Sequence, residues 1–150
     1  MLGSLAGGRW APRRRDERED PLATKTVFIS FDTENDEDLK SLLVGQAKNF
    51  DSPFRVADWS LKQPLTGNGK ERVRPRIGAV DLVVVICGQQ TDAADGVSAE
   101  LTIAQEESIV YFLLWGRHEK TCVKPKAAKS GDKIYGWTWD DLKQLIEGAR

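Results

Sequence analysis

The feature that most constrains the fold is the run Asp81-Leu82-Val83-Val84-Val85-Ile86-Cys87. Its six apolar residues show no polar alternation, so both faces of the strand they form must be buried. That condition is met in the middle of a parallel sheet covered by helices on both sides. The run is far shorter than the ~20 apolar residues a membrane helix needs. Ile109–Trp115 reads as a second doubly buried strand. The β-branched and aromatic stretch Thr26–Phe31 reads as a third.

Helix signals alternate with these strands. Asp36–Lys48 carries Leu39, Leu42 and Leu43 at helical spacing, with acidic residues in its first turn. Phe54–Ala57 is a short strand entered through Pro53. Asp58–Gly69 is a turn-rich loop, and Lys70–Ile77 a short helix disturbed by Pro75. Gly88–Val97 reads as a loop, Ser98–Glu107 as a helix, and Gly116–Asp132 as a long Lys-rich loop. Ile134–Trp137 is a final edge strand. Thr138, three residues before Asp141, is the expected N-cap of a last helix that packs Leu142, Leu145 and Ile146 inward. The expected fold class is therefore α/β: a flavodoxin-like, doubly wound sandwich on a mostly parallel five-stranded sheet.

Residues 1–24 stand apart. Gly, Pro, the run Arg13-Arg14-Arg15 and the acids that follow it give a charged N-terminal tail expected to be disordered, leaving one domain over 25–150. No apolar segment follows the arginines, so no secretory signal is expected and a cytoplasmic location is. The 22 basic and 23 acidic residues nearly cancel, at a net charge of −1, so neither a nucleic acid nor a membrane surface is an expected partner. Two cysteines, Cys87 and Cys122, and one histidine, His118, exclude a disulfide framework and a four-ligand zinc site. No metal site is expected.

Sheets of this class bind ligands beyond the carboxyl ends of their strands, where the strand order reverses. Four segments lie there: Phe31–Asp36, Asp58–Asn68, Gly88–Glu100 and Gly116 onward. Glu100, expected in the first turn of the helix after the central strand, is the leading candidate; an acid there also complements the helix dipole. Asp95 and Ser98 have the alternative reading of ordinary caps. The acids Asp32, Glu34, Asp36, Glu37 and Asp38 would suit a phosphorelay Mg²⁺ site, but Cys87-Gly88 stands where a phospho-acceptor Asp is required. A solvated acidic helix start is the better reading. Gly69-Lys70-Glu71 is not a phosphate loop, because Pro64 and Glu71 replace its Gly and its Ser/Thr. Cys87 is read as packing, His118 as solvated, and Trp115, Trp137 and Trp139 as core or half-buried. Trp59, at the tip of the second strand, has the alternative reading of lining the crevice.

Six blocks in order carry a family resemblance: Val27–Asp32, Phe54–Leu61, Gly67-Asn68, Asp81–Gly88, Gly96–Leu101 and Tyr111–Gly116. Together they resemble the bacterial TIR-like domains, closest to the TIR-like proteins of Thoeris antiphage defence, over about residues 25–147. The resemblance implies cleavage of the nicotinamide–ribose bond of NAD⁺ with release of a cyclic ADP-ribose-type signal. NAD⁺ is then a substrate, and no cofactor is expected. It implies Glu100 as the catalytic carboxylate, with Phe31, Asp32, Asp58, Trp59, Asn68 and Ser98 lining the substrate pocket. It also implies self-assembly and an effector protein that senses the product. Gln90, Gly69 and Pro75 depart from the family pattern. The alternatives are a non-enzymatic TIR-like assembly module and a nucleotide-binding protein without chemistry.

Overall fold

The structure is a computed structural model, and it describes residues 24–57 and 69–150. All of the tail but Thr24 lies outside the described residues. Within them the chain runs β1 (Lys25–Ser30), α1 (Glu37–Ala47), β2 (Phe54–Val56), α2 (Gly69–Gly78), β3 (Leu82–Cys87), a 3₁₀ turn (Thr91–Ala93), α3 (Asp95–Glu106), β4 (Tyr111–Trp115), β5 (Ile134–Tyr135) and α4 (Trp139–Glu147).

The strands form one five-stranded sheet in the order β2-β1-β3-β4-β5, parallel at every pairing. This is the flavodoxin-like order, with its reversal between β1 and β3. Ser30 of β1 pairs with Val85 of β3 near the carboxyl ends. All six residues of β3 are buried, as an unbroken apolar run in the sheet centre requires.

Side-chain alternation along the strands divides the core in two. Val27, Ile29, Val84, Ile86 and Leu114 face α1 and α4, meeting Leu39, Leu43, Leu142 and Ile146. Phe28, Val83, Val85 and Leu113 face α2 and α3, meeting Val73, Ile77, Val97 and Leu101. The last helix starts as its sequence predicts: Thr138 Oγ1 accepts the N–H of Asp141 at 3.1 Å. Trp137 is buried and donates Nε1–H to Gln46, while Trp115 and Trp139 are half-buried.

Three expectations need correction. Helix α3 begins at Asp95, not Ser98. The 3₁₀ turn delivers the chain to Ala94, whose carbonyl accepts the N–H groups of Val97 and Ser98, and Gly96 falls in the first turn where it breaks nothing. Strand β4 begins at Tyr111, not Ile109. The reversal out of α3 passes through Ser108, at φ 59°, and holds Ile109 N–H on Ala104, which leaves Val110 46% exposed. The acidic segment after β1 is not a wholly solvated helix start: Asp32 and Asp36 are buried.

Candidate functional site at the carboxyl end of the sheet

The alternation that divides the core also aims Ser30. It shares the α2/α3 face with Phe28 and is fully buried at the end of a strand otherwise filled with apolar side chains. Across from it, α3 turns Val97, Leu101, Ile103 and Ala104 onto the sheet. Glu100 lies three residues after Val97 and four before Ala104, so the helix carries it on the same inward stripe. It sits in the second turn of α3, because the helix starts three residues earlier than its sequence suggests. The hydroxyl of Ser30 donates to Oε1 of Glu100 at 2.6 Å.

Glu100 is half-buried, and enough apolar structure surrounds its carboxyl that burial raises it from 4.5 to about 8. The Ser30 hydrogen bond opposes that rise only in part. Among the described residues Glu100 makes no ion pair, and Ser30 is its one hydrogen-bond partner. An acid held this way, at the reversal point of a doubly wound sheet, is a candidate for binding a ligand.

The other proposed pocket residues fall differently. Phe31 packs into the core on the opposite face, with Lys40 Nζ 5.8 Å from its ring centroid. Asp32 closes its own turn, accepting from Glu34 N–H at 3.0 Å and Asn35 Nδ2 at 2.7 Å. Both lie at the carboxyl end of β1, but neither bonds to Ser30 or Glu100. The hydroxyl of Ser98 accepts the N–H of Ala127 at 3.2 Å and so anchors the long loop after β4 to α3. Asp58, Trp59 and Asn68 lie outside the described residues. His118 is exposed as expected, although its Nε2 lies 2.8 Å from the Trp137 carbonyl oxygen. Cys87 is sealed in the core, which pushes its thiol up to about 12 and leaves it no nucleophilic character.

A second polar cluster lies beside the site. Arg117, just after β4, reaches Asp36 Oδ1 at 3.1 Å, Asp38 Oδ1 at 2.9 Å and the Asn35 carbonyl at 3.0 Å. This clasp is why Asp36 tolerates burial. Its carboxyl is nevertheless raised, chiefly by desolvation and against the pull of Arg117, whereas that guanidinium lowers Asp38. Gly88 lies under Asp36 so closely that an added Cβ would stand 2.3 Å from Oδ2. Among the described residues no group of three or more His, Cys, Asp or Glu is gathered for a metal.

Two residues of this end of the sheet escape sequence reasoning. Arg117 meets acids some 80 positions away, and no local pattern announces that. Ser30 does leave a signal: it is the one hydroxyl in the apolar stretch from Val27 to Phe31, where an unpaired polar group would be costly.

No helix among the described residues is long and apolar enough to cross a membrane. No curated protein matches the chain. The profile of the family described as "Thoeris protein ThsB, TIR-like domain" matches residues 28–119, from β1 through β4 and just past Arg117. That match covers more than half of the chain and coincides with the part of the sheet that builds the reversal point. With the strand order in agreement, it establishes that the chain belongs to the TIR-like domain family of the Thoeris protein ThsB, a family of antiphage defence.

Proposed function

We propose that the chain is an NAD⁺-cleaving enzyme that releases nicotinamide and forms a cyclic ADP-ribose-type signal. The observation that carries this reading is the Glu100 carboxyl at the β1/β3 reversal, without a cationic partner among the described residues and held by one buried hydroxyl. Such a carboxyl matches what the reaction demands. Nicotinamide leaves as a neutral molecule, so no general acid is needed to protonate it. The barrier lies in the oxocarbenium-like ribose, as in glycoside hydrolysis. A carboxylate beside the ribose hydroxyls supplies negative charge where positive charge develops, and it orients the sugar. Water at the ribose C1 then gives hydrolysis, and the adenine folded back onto C1 gives the cyclic product. NAD⁺ is consumed as substrate, and an effector protein would sense what is made from it.

The decisive variant is Glu100→Gln, which keeps the shape and removes the charge. Free nicotinamide released from NAD⁺ should fall by on the order of 10²-fold or more. The variant should still melt cooperatively, at no lower temperature than the parent. Turnover at the parent rate in a folded Glu100→Gln protein would refute the assignment. Mass spectrometry of the same reactions, with and without lysate of phage-infected cells, distinguishes linear from cyclic ADP-ribose.

A further inference from the structure

We propose that Ser30 is the positioning residue of this site: its hydroxyl fixes Oε1 of Glu100 and thereby turns the other oxygen, Oε2, toward the ribose. The inference rests on the function proposed above and adds a second residue to it. Its ground is geometric. Ser30 has no solvent exposure and lies on a strand that otherwise buries only apolar side chains, so its hydroxyl carries a full desolvation cost unless it is bonded. Its partner is Oε1, at 2.6 Å, the short distance of a hydroxyl bonded to a carboxyl group. Oε2 receives no hydrogen bond from a described residue.

The two ends of this bond also come from different elements. Ser30 is fixed by β1, which pairs with both β2 and β3, and Glu100 by the inward stripe of α3. A glutamate has three side-chain torsions to lose, and one hydrogen bond from a rigid strand selects among its rotamers. A carboxylate that acts by facing a developing charge needs that selection, because an error of about 1 Å costs on the order of 10²-fold in rate. The same bond shifts the balance toward the ionised form, since a hydroxyl that donates to a carboxylate favours its charge.

Three variants test this. Ser30→Ala removes the donor. Ser30→Cys keeps the shape with a far weaker donor. Ser30→Thr keeps the hydroxyl in a residue suited to a strand. Nicotinamide release from NAD⁺ by the full chain should show kcat reduced by roughly 10- to 100-fold in the Ala and Cys variants. KM should change by less than about threefold. The acid limb of the pH profile should move to higher pH in both, and Thr should restore the limb and most of kcat. Parent kcat and an unmoved limb in folded Ala and Cys variants would overturn the proposal, even if melting temperature falls.

Failure of the parent to release nicotinamide at any protein concentration would count against the proposed function alone. The role of Ser30 is then decided by ¹³C-detected titration of the Glu100 side-chain carboxyl. An upward displacement of its midpoint in Ser30→Ala and Ser30→Cys supports the proposal. An unchanged midpoint overturns it.

Discussion

A carboxyl raised to about 8 is mostly protonated at neutral pH, so Glu100 rests chiefly as the acid. If its work is to oppose positive charge on the ribose, only the ionised fraction is competent. The profile of kcat/KM reports the free enzyme, so it should rise with pH from about 6 and level off above about 8. On the proposed reading, bound NAD⁺ would bring a positive nicotinamide close to the carboxyl and favour ionisation, so the limb in kcat should lie lower than the limb in kcat/KM. Both limbs are measured by nicotinamide release at fixed ionic strength. A kcat/KM that is flat from pH 6 to 9 would mean that the ionised Glu100 is not the working form. Cys87 is the contrasting case at this scale. It lies at the end of β3, close to the same crevice, but burial pushes its thiol up to about 12 and removes it from any such role.

Between elements, the tightest fit is where β4 ends. A Cβ added to Gly116 would stand 2.6 Å from Leu39 Cδ1 of α1, 2.9 Å from the Cys87 carbonyl oxygen and 3.1 Å from Ile86 Cγ2. The chain crosses the end of β3 here, bonded by Gly116 N–H to that same carbonyl, before Arg117 reaches the start of α1. Leucine can turn aside, but the β3 backbone cannot, so Gly116→Ala should destabilise the fold by about 1–3 kcal/mol. Urea unfolding followed by tryptophan fluorescence measures this, and an unchanged midpoint would show that β3 and α1 yield without cost. Elements of this kind were legible where the signal is local. The apolar run of β3, the alternation of helices and strands, and the Thr138 cap are all visible in short windows of sequence. The start of α3 was not, because Gly96 reads as a loop residue until the 3₁₀ turn before it is seen. Nor was the burial of Asp36, which depends on Arg117 arriving from the far end of β4.

Across the whole molecule, both halves of the core share one sheet, and the candidate catalytic acid is wedged into one of them. The strand order follows from the sequence, as does the end of the sheet where a candidate site is sought. The bond between Ser30 and Glu100 does not, since it needs the register of β1 and the phase of α3 together. This placement ties activity to stability with a definite sign. The folded state holds the Glu100 proton at about 8, well above the 4.5 of the free side chain. The resulting stabilisation is fully present below pH 4.5 and is lost as pH rises through about 8, where the fold must accept a charge in an apolar setting. Glu100→Gln has no charge to accept. The melting temperature of the variant minus that of the parent should therefore grow between pH 5 and pH 9, and reach several degrees, for a difference of about 2 kcal/mol once partial solvent access is allowed for. Asp36, raised, and Asp38, lowered, also make stability depend on pH, but both are present in parent and variant and cancel in the difference. A difference that stays constant across this range would mean that Glu100 titrates like a surface acid. The variant would then carry no gain in stability to set against its loss of turnover.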